Sequence, residues 1–436
     1  MKSLKNQITI GLLGFGNVGA AVYDLIHKNS DILTPKSPHP LVIKKIVVRD
    51  ASKKRAIDQA LLTTDWKSVV TDQDIDIVVE LMGDCPEALQ AMTMALESGK
   101  HVVTANKAMI ARHGVTLFQL AKAKNSKILY EASVAGGIPI LRAIREGLPA
   151  NRIATLRGII NGTSNYILSE MDARKLAFAD VLKKAQELGY AEADPTSDVG
   201  GHDAAYKLCI LIMLCHGVWI PVEKIYTEGI TNVTALDIEM ARQFDYTIKL
   251  MGITKTNGDQ IEARVHPVMV PRDNPIAHVV GAFNAIQYRG DFVGLGMLYG
   301  QGAGGGPTAS AVVSDILEIC RSFERDERTH SSPTGYSLNS VKKIDPLPMG
   351  EISCPYYLRF TVVDRPNVLA QLTTILGRHE ISIQHLYQHG FSEERKEVPV
   401  IAFTHRAKEK SIRLALDSID KLDSVTKASQ LIRIEE

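Results

Sequence analysis

The chain has 436 residues, with 50 lysines and arginines against 49 aspartates and glutamates. A formal net charge of +1 provides no long-range field to draw it onto nucleic acid or an anionic membrane surface, so a small soluble partner is favoured over either. At about 150 residues per domain, the length asks for roughly three hydrophobic cores.

The opening run ITIGLLGFG (8–16) alternates like a strand and lacks a small-residue cleavage site, so it is read as folded domain and not as a signal peptide. A helical pattern (VGAAVYDLIHKN), the strand LVIKKIVV, the strand DIDIVVELM, the helix PEALQAMTMALESG, the strand HVVTA, a helix ending QLAKAKN and the strand KILYEASV follow in turn. Strands separated by helices of 10 to 15 residues imply a doubly wound α/β parallel sheet, a Rossmann domain over residues 1–138. From Gly136 onward charged helices mix with strand-like pieces, which suggests an α+β substrate and dimerisation domain over 139–299. The glycine loop and helix QGAGGGPTASAVVSDILEICRSF (300–330) should then pack back on the first domain. Residues 331–353 are polar and proline-bearing and read as a linker. Residues 354–436 run β, α, β, β, α, β, a ferredoxin-like module.

Two features bear on location. The most apolar run, LCILIMLCHGVWI after Lys207, is interrupted by His216 and Gly217 and is shorter than the roughly 18 residues of a membrane span. A buried helix is expected there. Cys85, Cys209, Cys215, Cys320 and Cys354 are odd in number and form no CxxC pair, which fits reduced thiols in a cytoplasmic protein.

Gly14-Phe15-Gly16-Asn17-Val18-Gly19 follows the first strand and opens a helix. Dinucleotide binding needs that context: Gly14 permits the tight turn, Gly16 lets a pyrophosphate approach the backbone, and Gly19 lets helix and strand pack closely. The helix N-terminus then offers unpaired N–H groups to the phosphates. The second strand ends in Val48-Arg49-Asp50. Asp50 could accept from a free ribose 2′-OH, while Arg49, with Lys53 or Lys54, could pair with a 2′-phosphate; the balance leans towards NADP with tolerance of NAD.

Thr104-Ala-Asn106-Lys107 sits at the carboxyl end of a parallel strand, where ligands of such sheets bind. Further on, EADPTSDVGGHDAAYK (192–207) gathers four carboxylates, one histidine and a closing lysine. His202 has no histidine or cysteine partner one helical turn away, and the spacing of a calcium loop is absent, so metal binding by this stretch is disfavoured. Asp203 and Lys207 are four apart and share a helix face. A surface ion pair would look the same, but this pair opens the most apolar helix in the chain. A partly buried lysine there can donate a proton to a developing alkoxide, and the surplus carboxylates call for a substrate ammonium.

Taken together, GLLGFGNVG, TANKA, EASVAGGIPIL, RGIINGTSNYIL, ELGYAEADPTSDVGGHDAAYKL and GQGAGGGPTASAVVSDI resemble the homoserine dehydrogenase family over essentially the whole chain. The resemblance implies reduction of L-aspartate 4-semialdehyde to L-homoserine with NADPH or NADH by direct hydride transfer. By position it implies Lys207 as the proton donor and Lys107 as a second catalytic lysine touching nicotinamide and substrate. Glu192 and Asp203, supported by Asp198, would bind the substrate's amino end. Phe15, Asn17, Val18, Arg49 and Gly189 would line the cofactor beside the glycines and Thr104, with the loop around Gly302 and Gly304 closing over it. A sodium ion maps onto Glu131, Val134, Gly136 and Ile138. A homodimer or homotetramer is implied as well.

The C-terminal module resembles an ACT domain, in which Asp364-Arg-Pro-Asn367-Val-Leu-Ala matches D-x-P-G-x-L-A except that asparagine replaces glycine. Asparagine tolerates a left-handed backbone better than most residues. Feedback by L-threonine is the expectation. Two rivals compete: an acylating semialdehyde dehydrogenase with Cys85 as nucleophile, and a non-catalytic sensor of NAD(P) and an amino acid. The sequence opens directly on the Rossmann strand, so no fused aspartate kinase is expected.

Overall fold

The structure, a computed structural model, describes residues 7–323, 332–388 and 397–435. It divides into two compact units: Met1–Ala154 with Tyr206–Lys224 and Phe283–Ile344, and Thr155–Ala205 with Ile225–Ala282 and Asp345–Glu436.

The first unit is built on six parallel strands: β1 (Ile8–Leu13), β2 (Leu41–Val47), β3 (Leu62–Thr63), β4 (Ile77–Glu80), β5 (His101–Thr104) and β6 (Ile128–Leu129). Their order is β3-β2-β1-β4-β5-β6, so the direction of winding reverses between β1 and β4. Ligands of doubly wound sheets bind outside the carboxyl ends of the strands at such a reversal. All six residues of β1 are buried, which follows from cover on both faces. On one face Val69 and Ile75 crowd Gly11 so closely that a Cβ there would lie 2.6 Å from Val69. On the other, helix α1 (Asn17–Lys28) packs with the helix Gly305–Ser322, joining Leu12, Val22, Ala309 and Val312 in one core.

The helix expected after the glycine loop therefore does return to the nucleotide-binding unit. The boundary lies earlier than 300, however: the hairpin Phe283–Gly290 and Gly294–Gln301 belongs to this unit too, held where Gly137 N donates to Gln301 O at 2.9 Å. The expected linker is also revised. Of its described residues, Thr334, Leu338 and Leu347 are buried, and Lys342–Lys343 pair in parallel with Val218–Trp219. Composition misleads here because a few well-placed side chains suffice to anchor an otherwise polar segment.

In the second unit the strands run Ile153–Ile159, Tyr246–Asn257, Gln260–Pro271, Val425–Ile434, Tyr356–Val363, Glu397–Thr404 and Ile383–Gln388 in spatial order. The last four, with helices Val368–Arg378 and Glu409–Ile419, form the ferredoxin-like module with its own core around Phe360, Leu372, Leu376, Val400 and Ile412. Its helix begins at Asn367, which takes the left-handed conformation at φ +73°, as the substituted turn requires.

The module is not a separate body. Its strand Val425–Ile434 pairs in parallel with the substrate-domain strand, Val268 opposite Arg433 and Met269 opposite Ile434. Asp237, which completes the capping box begun by Thr234 on the helix Ala235–Gln243, accepts hydrogen bonds from Tyr357 Oη at 2.8 Å and Arg359 Nε at 2.7 Å. Beyond the strand, Glu435 accepts from Arg157 Nη2 at 2.8 Å and Arg264 Nη2 at 3.2 Å, and pairs with Lys255. Arg433 in turn reaches Glu409 at 2.5 Å and Glu228 at 3.0 Å.

Burial alone would raise the Glu435 pKa, but Arg264, Lys255 and Arg157 outweigh it and hold the carboxyl at about 2, below its ordinary 4.5. A depressed carboxyl stabilises the fold above the unfolded pKa and loses that contribution as pH falls through the folded one. Glu435→Gln is therefore expected to cost about 3 kcal/mol at pH 7, the order expected for breaking a buried pair. The gap to wild type should shrink below pH 4.5. Urea unfolding across that range measures it, and equal midpoints at pH 7 would refute the role.

Candidate functional site

Three clusters emerge at loop ends. The first is the turn from β1 into α1. Gly14 has φ +104°, and a Cβ there would lie 2.6 Å from Leu81 O. A Cβ on Gly19 would come within 2.3 Å of Gly14 O, so only glycine lets α1 start this close to its strand. Gly16 faces open space, and Gly16 and Asn17 are exposed. No side chain caps α1, so its first N–H groups are left to a ligand. These features fit a pyrophosphate. Phe15 packs edge-on against Tyr23 with centroids 5.9 Å apart, and Val18 is half-buried against the core. At the end of β2, Arg49 is exposed, while Asp50 Oδ1 accepts from Ser52 N at 2.9 Å and Ser52 Oγ at 2.6 Å.

The second cluster links the ends of β4 and β5. Thr104 Oγ1 donates to Glu80 Oε2 at 2.6 Å and accepts from Asn106 N at 2.9 Å. Asn106 Nδ2 donates to Gly83 O, and its Oδ1 caps the helix Lys107–Ala123 by accepting from Met109 N at 3.2 Å. Lys107 is thereby fixed at the first position of that helix, half-buried. The Thr104 hydroxyl gives its proton to Glu80 and accepts from Asn106 N, so Thr104 acts on the site through Asn106. Glu80 is fully buried, and burial raises its pKa against the hydrogen bonds of Thr104 and Met82. Sequence reasoning missed both Glu80 and Asn106's capping role; the signal was available in an acidic residue ending an otherwise apolar strand.

The third cluster lies at the start of the helix His202–His216, which carries Asp203 and, one turn later, Lys207, each at most 9% exposed. Asn161 Nδ2 bridges Asp198 Oδ1 at 2.7 Å and Asp203 Oδ2 at 2.9 Å. Its Oδ1 accepts from Ser164 N at 2.8 Å and so caps the helix Gly162–Arg174. Asn161 thus orients two carboxylates that sequence reasoning could only place near each other, and it had no assigned role. Glu192 stands apart on an exposed turn, its carbonyl accepting from Gln186 Nε2 at 3.1 Å, just after Gly189 at φ +76°.

The loop that the resemblance assigns to sodium is built around Glu131. Both Glu131 carboxylate oxygens accept main-chain donors, from Leu141 N at 2.9 Å and Arg142 N at 2.8 Å. Burial nonetheless raises this carboxyl to about 7. Val134, Gly136 and Ile138 could offer only main-chain oxygens. Cys85 is no better suited to acylation: burial pushes its thiol pKa up, away from a reactive thiolate.

Comparison with known proteins places the chain among relatives along its whole length. The family model described as homoserine dehydrogenase matches residues 139–317, its NAD-binding domain matches 14–131, and the ACT domain matches 356–423. The homoserine dehydrogenase of Neisseria gonorrhoeae is 42% identical over 429 residues, covering 98% of each chain. The crystal structure of a homoserine dehydrogenase from Thiobacillus denitrificans superposes with a TM-score of 0.93 at 43% identity, covering 99% of this chain and 98% of that one. A hyperthermophilic archaeal homoserine dehydrogenase in complex with NADPH, 28% identical, matches with a TM-score of 0.62 over 73% of this chain and 99% of its own.

Asn161→Ala is expected to cost about 2 kcal/mol through the lost helix cap and the two carboxylates left without their donor. Asn161→Asp should cost more, because it places a third negative charge against Asp198 and Asp203. Denaturant unfolding of both variants is the check; an aspartate variant as stable as wild type would show that the bridge is not energetically coupled.

Proposed function

The chain belongs to the homoserine dehydrogenase family, an NAD(P)-dependent oxidoreductase of amino-acid biosynthesis, and from that premise we propose how its residues divide the reduction of L-aspartate 4-semialdehyde to L-homoserine. Bound NAD(P)H supplies the hydride that the aldehyde carbon accepts. As the carbonyl oxygen gains charge, Lys207 Nζ donates a proton to it, leaving the alcohol and a neutral amine that solvent reprotonates. Lys107, fixed at its helix start by the Asn106 cap, steadies nicotinamide and substrate together. Asp203, aligned with Asp198 by Asn161, binds the substrate ammonium, and Glu192 completes that contact. The observation that carries the assignment is the helix start itself: a buried carboxylate and a buried lysine one turn apart.

For the cofactor, we assign the 2′-phosphate of NADP to Arg49 and prefer NADPH over NADH. The support is that Asp50, the competing ribose acceptor, spends an oxygen on Ser52 while Arg49 remains exposed. Gly189, Gly302 and Gly304 complete the cofactor contacts. No step is routed through the sodium ion implied by resemblance. Five free thiols suit a cytoplasmic setting, and among the described residues no helix is long and apolar enough to cross a membrane.

Assembly into a homodimer or homotetramer is assigned to the hairpin Phe283–Gln301. Phe292 is 91% exposed, and Leu295, Met297 and Tyr299 stand out on the same strand face, an apolar patch of the kind that marks an interface. Sedimentation as a monomer at micromolar concentration would count against it.

Lys207→Ala should lower kcat by at least about a hundredfold, within the range for a lost general acid. The assay follows NADPH oxidation with L-aspartate 4-semialdehyde, with NADH in parallel. Retention of wild-type turnover by the variant would remove Lys207 from the chemistry, and no turnover by wild type with either cofactor would favour the sensor reading.

Regulation by L-threonine is assigned to the ACT module. The amino acid should lower the rate or raise the melting temperature. Absence of both effects would remove threonine as the effector while leaving the reductase assignment intact.

A further inference from the structure

The strand Phe283–Gly290 carries Asn284 opposite Gly300. Its side chain is 1% exposed, yet neither Nδ2 nor Oδ1 has a hydrogen-bond partner. A buried carboxamide without protein partners is costly, so native structures satisfy one through water or in another state of the protein. What lies against this amide is the glycine loop. A Cβ built on Gly302 would come 2.1 Å from Asn284 Cγ and 2.3 to 2.4 Å from its two polar atoms, so the flat face of the amide rests directly over Gly302.

The other end of the loop meets the dinucleotide turn. A Cβ on Gly305 would lie 2.9 Å from Asn17 O and 3.5 Å from Ala21, at the first turn of α1. Between these anchors, Ala303 and Gly304 are exposed, and Gly304 sits at φ +117°. The loop thus spans from an unsatisfied amide to the phosphate seat. A carboxamide edge presents one donor beside one acceptor, which matches the N–H and C=O of a peptide chain.

We propose that Asn284 is a positioning residue for cofactor binding: when NAD(P) occupies the glycine turn, the 302–304 loop shifts over it and its peptide groups pair with the Asn284 carboxamide. The free protein holds the amide unpaired, and the bound protein recovers those hydrogen bonds, so part of the cofactor affinity resides in a residue that does not touch the cofactor. Gly302 is confined to glycine for the same reason, since any side chain would evict the amide. The inference rests on the assignment of residues 302–304 to the cofactor.

The test uses the full chain with Asn284→Leu, which preserves approximate shape and removes both polar atoms. NADPH affinity by fluorescence titration, the KM for NADPH, and the melting temperature of the free protein are measured together. The expected result is roughly tenfold weaker NADPH binding, equivalent to about 1.4 kcal/mol. KM should rise by more than kcat falls, and the free protein should melt no lower than wild type because no satisfied hydrogen bond was removed. Should leucine fail to fold, Asn284→Ala also removes both polar atoms and provides the same comparison. Unchanged NADPH affinity overturns the proposal, and so does a free protein destabilised with its cofactor-induced thermal shift intact, which would mean the amide is already satisfied by a resident water. Wild type that binds neither NADPH nor NADH overturns the cofactor assignment itself, a result distinguishable from wild-type binding that the variant shares.

Discussion

The second unit depends on one buried carboxylate. Glu435 gathers Arg157, Lys255 and Arg264 from three substrate-domain segments, next to a strand whose Arg433 is held by Glu409 and Glu228. Each of these charges would be costly alone in so dry a place. Satisfied together, they admit one arrangement of the strand Val425–Ile434 between its neighbours. His266 completes the pattern. Arg264 Nη1 can only donate, so His266 Nε2 must accept at 2.8 Å, and Nδ1 carries the proton to Pro267 O at 2.9 Å. The ring is thereby kept neutral, in keeping with burial, Arg433 and Arg264, all of which lower its pKa.

The same economy recurs around the candidate site residues. Asn161 and Asn106 each cap a helix, and Asp237 completes the capping box of another, while a second atom of each side chain holds a further partner. Position is conferred on Lys107 and Asp203 by residues that take no part in proton or hydride transfer. The buried Lys249 works likewise. Burial lowers its pKa to about 8, and its Nζ donates to Val279 O and Asn165 Oδ1, fixing the 279–281 turn from within the core.

What was legible in the sequence was what depends on local requirement. Gly19 is dictated by its approach to Gly14 O within the same turn and Gly14 by its φ of +104°, and the apolar helix after Lys207 by the run from Leu208 to Cys215. Asn367 at φ +73° could be anticipated because the turn demands that conformation whatever surrounds it. Asn161 could not, since its meaning lies in Asp198 and Asp203, 37 and 42 residues away. Glu80 reads as a strand-end acid until Thr104 is placed beside it. The fusion of the ACT module to the substrate sheet rests on Val268 meeting Arg433, a pairing without any local signature.

That pairing also sets an order of events. Segments rich in local contacts can fold as they leave the ribosome, whereas a seam joining residue 268 to residue 433 must wait for the later partner to be made. Until then the edge of the strand Gln260–Pro271 at Val268 and Met269 presents unpaired main-chain groups, with Arg264 and Lys255 lacking their carboxylate. An unpaired edge invites pairing with other chains, but Lys255 without Glu435 places a positive charge beside that edge, which repels a second copy of it. The charges that lock the finished sheet therefore also guard the unfinished one against self-association during synthesis.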